Sequence, residues 1–151
     1  MKIRELSKGS IVIIKHENDL SSIAQVEEIL FTKATITILD NLFDGFQTNF
    51  KPGTIHRVEF VNIRGLIISS AILKHMEFVE ADKKGWQLMY YYGDMKLLYR
   101  HDIRRGCGSF RFMSDYNKTF VRISCHEIHQ LQNIMRFLTD DLEFKYNAVS
   151  L

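Results

Sequence analysis

Between Ala34 and Asp40 the chain reads ATITILD, with threonine alternating with isoleucine at every second position. Only a strand with one buried and one wetter face turns that alternation into a consistent surface, so this stretch predicts β structure. The same logic extends to its neighbours. "SIVIIKH" (Ser10–His16) follows a Lys-Gly turn and is rich in β-branched residues, "IAQVEEILF" (Ile23–Phe31) lies between β-branched stretches, and "HRVEFVNI" (His56–Ile63) alternates again. Asp44-Gly45 and Pro52-Gly53 supply turn signals between them. Short strands at about ten-residue spacing predict a small curled antiparallel sheet or a Tudor-like barrel over residues 1–63.

Residues 64–151 predict a second, α+β unit packed with the first. Ser69 or Ser70 caps a short helix running to Met76. "GWQLMYYYGDMKLLYRHD" reads as two strands around Gly93-Asp94, and "SFRFMSDYNKTFVRIS" as two more around "SDYNK". From Cys125 to about Asp141, Ile128, Leu131, Met135 and Leu138 recur at helical spacing, which predicts a long C-terminal helix covering one face of a four-stranded antiparallel sheet.

Within 151 residues such an arrangement can bury a substantial core, and 46% apolar content supports it. Two cysteines, Cys107 and Cys125, are too few for a disulfide scaffold. The opening "MKIRELSKGS" lacks the apolar core of a signal peptide, and no apolar run reaches the roughly 18 residues of a membrane span. The expected compartment is a reducing cytosol, with no membrane contact. Net charge is +2 but unevenly placed: from Met95 to Arg136 eight Lys/Arg face three acids, leaving twelve bases and fifteen acids elsewhere.

The densest cluster of reactive side chains is "SCHEIH", Ser124–His129. A zinc-protease helix needs His-Glu-x-x-His, and "HEIH" is one residue short. Cys125/His129 or His126/His129 would supply two ligands where structural zinc takes four. Ser124-x-x-Glu127 reads instead as a capping box, with Cys125, His129 and Arg136 on the side of the helix away from Leu131. No metal and no cofactor is expected. Cys107, in "RRGCGSF", has His101 as its nearest base and reads as a turn residue, so no catalytic residue is assigned.

The remaining signal is basic and aromatic. Arg100, Arg104, Arg105, Arg111, Lys118 and Arg122 interleave with Tyr99, Phe110, Phe112 and Phe120, and His129 and Arg136 extend the set onto the helix. Positive charge with aromatics is what a single-stranded nucleic-acid platform uses, and Arg111 and Arg122 share a sheet face if their strands pair.

Two blocks also resemble patterns found in a group of small proteins of phages and mobile elements. "RGLIISSAILKHMEF" resembles Gly-Ile-x-Leu-Thr-x-x-Ile-Leu-x-x-x-Gly-Phe, and "IHQLQNIMRFLTDDL" resembles Val-His-Glu-Leu-Gln-Asn-Leu-Tyr-x-x-Leu-Thr-Gly. The chain departs from them at Met76-Glu77, where the pattern has Cys-Gly or Ile-Gly, and at Asp140, where it has glycine. The resemblance implies a phage-associated protein acting in a bacterial cytosol, with no particular activity. The expected function is therefore a non-enzymatic binding protein that inhibits or redirects a host protein or ribonucleoprotein, with RNA contact, as an anti-CRISPR-like inhibitor would. The alternatives are a structural or accessory phage protein and a cryptic nuclease or Cys107-dependent hydrolase.

Overall fold

The computed structural model describes residues 5–42, 49–84, 87–92, 95–102, 107–113, 120–123, 125–139 and 146–147, with backbone and strand pairing alone for 81–123. The fold is α+β, with two five-stranded antiparallel sheets in two compact units.

The first sheet contains β1 (Ile11–Lys15), β2 (Ser21–Ile29), β3 (Lys33–Asn41), β4 (Ile55–Glu59) and β5 (Ile63–Gly65), in the order β4-β3-β2-β1-β5. Gly9 and Gly53 take φ of +81° and +85° in the Lys-Gly and Pro-Gly turns, where a side chain would strain the backbone. The alternation read from the sequence becomes one core face: Val12, Ile14, Ala24, Val26, Ala34, Ile36, Ile38, Val58 and Ile63 cluster together with Leu6. Ile11 and Ile23, on the opposite face, are fully buried as well. "HRVEFVNI" is not one strand. A 3-10 turn at Phe60–Asn62 breaks it, which lets β5 cross over and pair with β1. Among the described residues the sheet is open, ending at β4 and β5, which fits the expected curled antiparallel sheet and not the Tudor-like barrel.

The second sheet is formed by β6 (Val79–Lys84), β7 (Gln87–Tyr92), β8 (Met95–Asp102), β9 (Cys107–Met113) and β10 (Phe120–Ile123), in simple sequential order. It has five strands, not four. β6, "VEADKK", is too polar to announce itself as a strand, but it lies at the sheet's edge, where charge is tolerated and pairing with β7 overrides weak propensity. The turns at Gly93-Asp94 and "SDYNK" lie outside the described residues, as does Asp44-Gly45.

Helix α1 (Ser70–His75) is capped by Ser69, whose side chain accepts from the Ile72 amide at 3.3 Å. Its exit is a Schellman turn: the Phe78 amide reaches Leu73 O at 3.0 Å and the Glu77 amide reaches Lys74 O at 3.2 Å. Helix α2 (Ile128–Thr139) was read from the sequence as part of residues 64–151. It groups with the first sheet, so that one unit is Met1–Leu66 with Glu127–Phe144 and the other is mainly Ile67–His126. Its apolar stripe would suit either sheet, and its polar side chains decide the matter, as described next.

Candidate functional site

In the first unit, the polar face of α2 docks on the chain's own segment Glu5–Ile11. Gln132 is fully buried and acts like a missing strand partner. Its Oε1 accepts from the Ile11 amide at 2.8 Å and its Nε2 donates to Gly9 O at 3.0 Å. Asn133 Nδ2 donates to Glu5 O at 2.7 Å, Ser7 Oγ donates to Asn133 Oδ1 at 3.3 Å, and Arg136 Nη1 donates to Ser7 Oγ. The Arg136 guanidinium lies over Gly9, where an added Cβ would come within 2.6 Å of it. Burial pulls its pKa below the ordinary arginine value.

His129 is also fully buried, with Nε2 3.4 Å from both Glu5 Oε2 and Glu127 Oε2. Its Nδ1 and Glu127 Oε2 are buried without a hydrogen-bond partner among the described residues. The Glu127 carboxylate lies so close to Gly65 that a Cβ there would be 2.0 Å from Glu127 Cδ.

These contacts correct the placement of three residues. Cys125 and His129 are buried, and Arg136 is half-buried in an intramolecular contact, where an exposed helix side was expected. A helical wheel gives the phase of side chains, and here the polar phase meets backbone donors and acceptors from the other end of the chain. The helix also starts later than expected. Glu127 takes the N-cap place, with its carbonyl accepting from the Gln130 and Leu131 amides. Gln130 Oε1 reaches back to the Glu127 amide at 3.4 Å, one half of a capping box, three residues beyond the one expected. Ser124 lies outside the described residues. Cys125 precedes the helix, and burial pushes its thiol up to about 12, leaving a poor thiolate for chemistry or ligation. No group of three or more His, Cys, Asp or Glu among the described residues is placed to hold a metal ion.

A second cluster, which the sequence reading missed, stacks His16 and His56 on Phe50 with ring centroids 4.2 Å apart in each pair. Ser22 Oγ donates to Asn41 Oδ1 at 2.6 Å, so its contact with His16 Nε2 at 2.7 Å must be donated by the histidine. Thr54 Oγ1 donates to Lys51 O at 2.6 Å, and by the same reasoning His56 Nε2 donates to Thr54 Oγ1 at 2.7 Å. A histidine that donates to a serine cannot take that serine's proton, and Ser22 is fully buried, so this grouping is no nucleophile–base pair. Burial, and then the nearby His56, lower the pKa of His16.

The second unit carries the strongest charge pattern. In the β9–β10 ladder Arg111 stands directly opposite Arg122. Across β8 the partner of Arg111 is Leu98, with Lys96 and Arg100 two positions to either side of it. The two-residue period of a strand therefore places Lys96, Arg100, Arg111 and Arg122 on one face, which Lys84, Asp82 and Asp102 share by the same register. Directly opposed Cα atoms are about 4.5–5.5 Å apart and the diagonal neighbours about 7–8 Å apart. The alternate rows are apolar: Tyr90, Leu97, Phe112 and Val121 form one, and Leu88, Tyr99, Phe110 and Ile123 the next. Phe120 and Tyr91 share the cationic face, whereas Tyr99, Phe110 and Phe112 do not. Cations and most aromatics thus lie on opposite faces, which favours charge contact over base stacking. Lys96, counted in the local charge excess but not among the expected binding residues, joins the cluster by register. Arg104, Arg105 and Lys118 lie outside the described residues.

No protein-family model, no curated protein and no solved structure matches the chain. The functional reading therefore stands on these placements.

Proposed function

We propose that this is a non-enzymatic binding protein that engages an anionic partner through the second sheet's cationic face. Arg111 opposite Arg122 is the observation that carries the reading. Like charges directly opposed across a ladder are destabilising, and Lys96 and Arg100 on the diagonals add to the repulsion. An anionic ligand relieves that repulsion, and charge-assisted contacts from arginine suit phosphates and carboxylates. The resemblance to small phage and mobile-element proteins makes a host ribonucleoprotein the partner of choice, inhibited as an anti-CRISPR protein would inhibit it.

In this reading the first unit is scaffold. Its strand order, with β5 returning beside β1 after a 3-10 turn, supports a Tudor-like ancestry. Its buried His129 and Gln132 hold α2 against the segment Glu5–Ile11. The test is capture from a bacterial host lysate with the wild-type protein and with the Arg111→Glu/Arg122→Glu variant, each with and without ribonuclease. Nuclease-sensitive capture that the variant loses is the expected result. Equal capture by both proteins would remove the cationic face from the account.

A further inference from the structure

We infer that the protein forms a two-fold dimer in which β4 pairs antiparallel with β4 of a second copy, centred on Val58. β4 ends the first sheet, and among the described residues it pairs only with β3. The hydrogen bonds show which of its backbone groups are left over. Ile38 donates to Thr54 O at 2.9 Å and Phe60 donates to Thr32 O at 3.4 Å, so the even-numbered positions face β3. In an antiparallel ladder the alternate residues, Ile55, Arg57 and Glu59, then present their N–H and C=O groups to the outer edge.

Those residues are also the exposed ones. Ile55 is 66% exposed and Val61, just past the strand, is 65% exposed. Arg57 and Glu59 are exposed as well. Pairing the edge with its own copy requires odd positions to face odd positions. Centred on Arg57 the two-fold opposes two arginines, and centred on Glu59 it opposes two glutamates. Centred on Val58, Arg57 faces Glu59 of the second copy, and Glu59 faces its Arg57. Both form hydrogen-bonded pairs across the axis, with Ile55 beyond them at each end. The edge at Arg57–Glu59 is therefore self-complementary in charge, as an isologous interface requires.

Phe31, at the tip between β2 and β3, is completely exposed, and the bond from the Phe60 amide to Thr32 O sets that tip beside the end of β4. Charged edge strands ordinarily keep sheets apart. A guard of one sign does so in every register, and the alternating signs of Arg57 and Glu59 do not in this one. Lys33 does not neutralise Glu59 strongly, since their ion pair is 3.9 Å long and solvent-exposed. The contact is smaller than a standard interface of about 800 Å² per partner, which predicts weak, concentration-dependent association.

Sedimentation equilibrium of the full chain, from micromolar to near-millimolar concentration, tests this. The wild type is expected to move from monomer toward dimer. Arg57→Glu and Glu59→Arg, each opposing like charges, are expected to weaken association at least about tenfold. The double exchange Arg57→Glu/Glu59→Arg is expected to restore it, a result that damage to the fold would not give. A wild type that stays monomeric throughout, single variants that dimerise as well as the wild type, or a double exchange that fails to recover would each overturn the proposal.

Discussion

Glu77 is a residue in a glycine's place. It has φ of +64° at the left-handed position of the Schellman turn that ends α1. Glycine adopts this backbone conformation without strain, which is why such turns usually carry it. Glu77→Gly is expected to stabilise the protein by about 0.5–1 kcal/mol in urea denaturation, because a left-handed non-glycine residue is strained. The exposed bond from Asn147 Nδ2 to Glu77 Oε1, 3.0 Å long, is a minor loss against that gain.

His16 sets a second expectation at this scale. Burial and His56 lower its pKa from 6.5, so the unfolded chain takes up a proton before the folded one does. Stability is therefore full above about pH 6.5 and falls as acidification passes from the unfolded toward the folded value. Between pH 7.5 and pH 5.5 the wild type should lose more stability than His16→Gln. Parallel losses would mean that the stack with Phe50 is indifferent to charge.

Among the elements, α2 shows where sequence reading stops. Its existence and its apolar stripe of Ile128, Leu131 and Met135 were legible from period and residue type, whereas its start was expected three residues too early. Its docking partner was not. The bonds from Gln132 and Asn133 reach residues 121–128 positions away, and no local pattern encodes a contact at that separation. The strands were legible for the reason the helix partner was not: alternation within "ATITILD" or "SFRFM" is local. β6 escaped because an edge strand can carry charge on both faces. Gln132→Leu removes the partners of the Ile11 amide and the Gly9 carbonyl, and is expected to cost about 2–4 kcal/mol in denaturation. A loss below about 1 kcal/mol would show that water replaces Gln132 freely.

Across the whole molecule, a chain of net charge +2 concentrates its cations on one sheet. Net charge alone predicts no partner, and only the strand register turns four scattered cations into a surface. No helix among the described residues is long and apolar enough to cross a membrane. The buried His129 and Gln132 give α2 a structural part in the first unit.

The most direct test is the salt dependence of binding to a single-stranded RNA oligonucleotide, followed by fluorescence anisotropy. Four phosphate contacts on a single strand give a slope of log K against log salt near −3, and Arg111→Gln/Arg122→Gln should reduce its magnitude by about 1.4. A slope near zero, or one that the double variant leaves unchanged, would contradict the account.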